Sequence, residues 1–173
     1  MSNITLVLQN GFFYGAILSA ILSVLIIGSL YYNAEMWVGD YPPDIKAKFG
    51  SISQKAKRQQ IWLSIPFFGA LIAMIVLANL RLNTLLGESL SFWMVFLNTF
   101  IVVETFNLVD LLILDGLMMI ILKPKFAILP GTEDMAGYND FGFHVRGFGI
   151  GTALSLAAGG ITAGVVSLLQ AIG

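Results

Sequence analysis

Long apolar runs separated by short polar segments dominate this chain. A hydrocarbon core about 30 Å thick needs roughly 20 apolar residues in a helix. Four stretches reach that length, at about 11–32, 61–80, 90–122 and 143–172. Backbone groups in lipid must be satisfied within one segment, and no even series of ten-residue alternating strands is present, so helices are expected rather than a barrel. The predicted fold is an all-α membrane protein, a four-helix transmembrane bundle with two cytoplasmic loops and no appended soluble domain. The two halves of the chain share no motif that would mark an inverted repeat.

The loops carry their own signals. In 33–60, Pro42-Pro43 forbids a helix through that point and permits one to start near Asp44. Ser51 and Gln54 have capping-box spacing, and the polar run Gln54–Gln60 reads as a helical lead-in to the second span. In 123–142, Lys123-Pro124-Lys125 ends the third span and Pro130-Gly131 marks a turn. Glycine and phenylalanine then alternate from Phe141 to Phe148, where the fourth span begins.

Composition supports lipid as part of the solvent. Only 11% of the 173 residues are charged and 57% are hydrophobic, whereas soluble domains carry about 25% charged residues. Net charge is −1, which gives no reason to expect nucleic acid as a partner. The absence of cysteine removes disulfides, thiol catalysis and thiolate metal sites. The N-terminus lacks the basic stretch that opens a signal peptide, so the first span is expected to be retained.

Orientation follows from the bases. Lys46, Lys48, Lys55, Lys57 and Arg58 lie between spans one and two, and Lys123, Lys125 and Arg146 between spans three and four; only Arg81 falls on the other side. The positive-inside rule then places both termini outside the cytoplasm. Tyr31, Tyr32, Trp37, Trp62, Phe92 and Trp93 stand near the expected boundaries, as interfacial belts require.

The third span carries the candidate chemistry. Glu104, Asn107, Asp110 and Asp115 sit among strongly apolar neighbours. At about 100° per residue, Asn107 falls about 300° from Glu104, Asp110 about 240° and Asp115 about 20°, an arc of about 140°. A carboxylate at mid-bilayer costs about 2.5–3.5 kcal/mol, so each must face protein, a cation or water. Resident bases are scarce at that depth, which suits proton or cation handling. The plainer alternative is hydrogen bonding of some acids to Ser, Thr or backbone of neighbouring helices. A straight helix of 33 residues would reach about 50 Å, so this span must tilt, protrude or break, with Gly116 as a weak point.

His144, Arg146 and Asp140 stand at the mouth of the fourth span. His144 is a candidate proton relay, or a ligand beside Asp115 or Asp140, and Arg146 a partner for an acid. Glu104, Asp110, Asp115 and His144 are also the candidate metal ligands, although no HxxxH or ExxH spacing is present. Gly147/Gly151 and Gly160/Gly164 have the spacing that lets helix backbones touch, and Gly11, Gly15, Ser19 and Ser23 form a weaker set. Gln9 and Asn10 are expected to line an outer vestibule, and Pro66 to fall in the first turns of its helix. No phosphate loop or nucleophile elbow exists, and no cofactor is indicated.

The leading expectation is a small polytopic protein that handles a proton, cation or small cationic substrate along the acid stripe. A homo-oligomer or a larger membrane complex is expected, because one four-helix unit offers little room for a pathway. The alternatives are a membrane-embedded, metal-dependent enzyme acting on lipid, and an accessory subunit of a larger complex. Enzymatic activity is not the favoured reading.

Overall fold

Each of the four long helices begins at a short polar side chain that accepts the N–H three residues on, the arrangement that satisfies an otherwise orphaned donor. Ser2 accepts from Thr5, Ser53 from Ala56, Ser91 from Met94 and Asp140 from Phe143. The structure, a computed structural model, describes residues 2–87 and 89–172. It is all-helical, with no strand among the described residues. The helices are α1 (Asn3–Asn33), α2 (Pro43–Phe49), α3 (Gln54–Leu86), α4 (Phe92–Val109) and α5 (Phe141–Ile172).

α1, α3, α4 with its continuation, and α5 are each long and apolar enough to cross a membrane. By length and composition these four helices suggest a multi-pass membrane protein. Their outward faces are apolar: Ile61, Trp62, Ile65, Phe68 and Ile72 on α3, and Leu154, Ile161, Val165 and Leu168 on α5, are exposed. A soluble monomer rarely leaves so continuous an apolar surface uncovered.

Several local expectations are revised. α1 starts eight residues before position 11, and α3 absorbs the whole polar lead-in from Gln54. The cap of α3 is Ser53 rather than Ser51. Because α3 starts so early, Pro66 lies well inside the helix rather than in its first turns, where it removes one intrahelical hydrogen bond. Pro43 does open α2 at its first position, and Gly131 adopts the left-handed φ of 79° in the turn at 130–131.

The third span does not break at Gly116. From Asp110 to Leu122 it widens into a π-helix, closed at its end by the Lys123 N–H on the Met118 carbonyl at 2.9 Å. Such windings normally last a single turn and recur at functional sites. Gly116 suits the wide turn, since a Cβ there would lie 3.1 Å from the Leu111 carbonyl oxygen. The wider winding also brings Asp115 nearer the face of Asp110 than a 3.6-residue period would, and the two are within electrostatic reach.

α4 packs along α1, α3 and α5, and α1 also packs along α3. Between helices in lipid the hydrophobic effect contributes little, so close approach and polar contacts hold them. At Gly11 and Gly15 a Cβ would come within 3 Å of Ile101 and Thr105, so these two glycines set the α1–α4 distance. Gly159 abuts the Phe96 backbone, whereas Gly147, Gly160 and Gly164 meet nothing within 4 Å. Packing layers follow along the bundle, from Val7, Leu82 and Val95 through Leu18, Leu22 and Val102 to Ile26, Leu30 and Leu114.

The two loops on the side away from the termini fold together into one cap. Val38, Tyr41, Ile45, Leu129 and Tyr138 form its apolar centre. Tyr41 donates its hydroxyl to the Ala127 carbonyl, and Asp44 accepts the Gly137 N–H at 3.0 Å. Burial, reinforced by Tyr138 and Asp40, pushes the Tyr41 hydroxyl above its ordinary pKa and keeps it a donor.

Candidate functional site

Asn33 caps a short 3-10 helix, Ala34–Asp40, that carries the chain on from α1. Tyr41 and the Pro42-Pro43 pair follow, and Asp40, the last residue of this helix, lines the cavity. Across from it, the π-helix presents Asp110 and Asp115, and the first turns of α5 present His144 and Arg146. These side chains line one cavity of about 760 Å³ between the bundle and the cap. Asn107 lines it too, while Glu104 and Asp140 do not.

Asp115 is held by His144, whose Nδ1 lies 2.9 Å from its carboxylate. His144 is buried, so the imidazole is pinned between α5 and the π-helix. Arg146, at the exposed rim of the cavity, pairs with Asp140 at 3.7 Å, and both are substantially exposed. Such a pair contributes little, about 0–1 kcal/mol. Asp140 is chiefly the cap of α5, accepting the Phe143 N–H at 2.9 Å.

Asp110 is different. Its carboxylate makes no hydrogen bond or ion pair among the described residues, and it faces the cavity. Asp40, Asp110 and Asp115 are near enough to repel one another, and His144 is near enough to attract Asp110. The lysine closest to this group, Lys46, is in electrostatic reach of Asp40. Its ammonium is already engaged by the Gly39 carbonyl at 3.1 Å and the Phe143 ring at 5.7 Å. Negative charge is therefore in excess around the cavity.

Glu104 belongs to a polar patch between α4 and α5 that meets the cavity at Asn107. Thr152 donates to Glu104 at 2.8 Å, and Asn107 donates to Glu104, to Thr152 and to the Phe148 carbonyl at 3.1–3.3 Å. Gly151 makes room for this patch, because a Cβ there would collide with the Asn107 amide. The stripe thus divides. Its upper half is satisfied by a neighbouring helix, the plainer alternative for an intramembrane acid, and its lower half opens on the cavity.

No group of three His, Asp or Glu side chains with metal-binding placement occurs among the described residues. Glu104, Asp110, Asp115 and His144, the candidate metal set, are split between the patch and the cavity.

Two features escape the sequence pattern. Asp40 reads as an ordinary loop acid, and its one clue is its place just before a proline pair. Near the other end of the bundle, Asn10, Asn79, Asn98 and Thr99 form a buried cluster joining α1, α3 and α4. Asn10 donates to the Ala78 carbonyl and to Asn98, Asn98 to Asn79, and Asn79 to Thr99, at 2.8–3.2 Å. Asn10 therefore glues helices instead of lining a vestibule, while Gln9 is exposed.

The chain matches no protein-family model, no curated protein and no solved structure.

Proposed function

We propose that this chain is a multi-pass membrane protein, its two capped loops in the cytoplasm, that binds and passes a proton, a cation or a small cationic substrate at the cavity beneath those loops. Asp110 is the principal binding carboxylate. Asp115 and His144 form an adjoining pair through which a proton can be exchanged, and Asp40 guards the mouth. The observation that carries this reading is the Asp110 carboxylate, set in an apolar span, facing a cavity, with no lysine or arginine assigned to it. A carboxylate kept there without a resident cation costs several kcal/mol unless a mobile cation, a proton or water compensates it.

The cavity is lined by side chains of this one chain and is partly open at its edge. The open Gly160/Gly164 edge of α5 is the observation in support of association between copies or with a partner subunit.

Purified protein in proteoliposomes tests the proposal. Flux driven by a pH or cation gradient is expected, with loss on Asp110→Asn and on the combined neutral substitution of Asp40, Asp110 and Asp115. Unaltered flux in the triple variant would defeat the assignment.

A further inference from the structure

The cavity's size and walls speak to what kind of cation it holds. At about 760 Å³ it has the volume of sites that enclose drug-sized organic molecules, about 300–1,000 Å³. A bare metal ion instead asks for a close shell of oxygen ligands, and no group of three His, Asp or Glu side chains placed for one occurs among the described residues. Phe67, Phe106, Phe148 and Met118 supply apolar, polarisable wall beside the carboxylates. Aromatic faces and thioethers attract organic cations, and aliphatic chains pack against both.

A second, smaller cavity of about 210 Å³ adjoins the first, sharing Trp37, Asp40 and Phe67 with it. Its other walls include Gln60, Ser64 and Phe68 of α3. It opens beside the outward apolar face of α3, where Ile61, Trp62, Ile65 and Phe68 are all exposed. Tyr31 and Tyr32, also exposed, mark the same end of α1. Tyrosine and tryptophan sit where headgroups meet hydrocarbon, so this opening lies at the depth where an amphiphile's charged head resides. Trp37 is pinned there by its indole N–H on the Ser29 hydroxyl at 2.9 Å, and Phe67 by its edge contact with Phe106.

Resting on the cation-binding reading, we infer that the ligand is a lipophilic organic ammonium, taken sideways from the membrane between α3 and the 3-10 helix, its charged head on Asp110 and its apolar body among Phe67, Phe106 and Met118. Asp40 meets the ammonium first, at the wall common to the two cavities.

The test uses the full chain in phosphatidylcholine nanodiscs, with Trp62→Phe and Trp93→Phe so that Trp37 alone reports. Dodecylammonium is expected to change the Trp37 fluorescence saturably, with sodium, potassium and calcium failing to compete beyond ionic-strength effects. Asp110→Asn, isosteric at a side chain without a partner, is expected to weaken binding by about thirtyfold or more, as removal of a desolvated charge partner does. Ser64→Phe, which fills the side opening, is expected to slow association by about tenfold, one increment of about 1.4 kcal/mol in barrier, with Kd little changed. Binding of an inorganic cation but not of dodecylammonium would overturn the ligand class and leave the cation reading standing. An unchanged association rate in Ser64→Phe would overturn the sideways route. Amine binding indifferent to Asp110→Asn would sink this inference, and flux likewise indifferent to it would sink the broader proposal as well.

Discussion

Two polar groups inside the same apolar bundle differ in kind. Asn10, Asn79, Asn98 and Thr99 are neutral, buried and bonded to one another or to backbone. Asp40, Asp110, Asp115 and His144 are ionisable, and only Asp115 and His144 are matched to each other. The first cluster closes on itself and ties three helices together. The second opens on a cavity and leaves a carboxylate without a partner. A membrane protein uses satisfied polar groups as glue, at about 0.6 kcal/mol per contact. An unsatisfied charge gives the fold nothing, and its retention points to a ligand.

That contrast can be broken by exchanging outcomes between the two groups. The largest effect is expected from Asp110→Asn, a loss of flux of about a hundredfold, in the range of a buried charge partner removed. Its thermal stability should equal or exceed that of the parent, since the substitution removes an uncompensated charge. A variant that unfolds instead would place Asp110 with the glue.

Gly15→Leu comes next, because the added side chain must displace Thr105 on α4. Overpacking of this sort costs about 1–3 kcal/mol, read as a lower unfolding midpoint in detergent. Gly164→Leu, on an open edge, is expected to leave that midpoint in place, and equal losses in both would refute the assigned packing.

Asn98→Ala should lower stability by about 1–2 kcal/mol, since Asn10 and Asn79 both lose a partner, with flux per folded molecule unchanged. Abolished flux in a folded Asn98→Ala protein would erase the distinction between the two groups. The smallest effect belongs to Arg146→Gln, whose exposed pair with Asp140 is worth about 0–1 kcal/mol; flux within about twofold of the parent is expected, and a large loss would give this rim residue a part in binding.

How much of this was legible in the sequence differs for the two groups. The four spans are plain from the apolar runs, and the acids of the third span stand out because the membrane makes them costly. Asp115 beside His144 was among the pairings the pattern allowed. The division of the stripe was not legible, because Thr152, which satisfies Glu104, lies 48 residues away on another helix. A 3.6-residue period also misplaces residues beyond Asp110, where the winding widens. Asp40 reaches the cavity only through the path of the chain after α1, which no periodicity encodes. The asparagine cluster is illegible for a related reason: amides near the ends of spans look like boundary residues until their partners on two other helices are known.

Reaction with dicyclohexylcarbodiimide, an apolar reagent for carboxyl groups in apolar surroundings, followed by peptide mapping, separates these assignments within one wild-type sample. Modification is expected at Asp110, suppressed by dodecylammonium, with Glu104 protected by Thr152 and Asn107. Modification at Glu104 with Asp110 untouched would contradict the account.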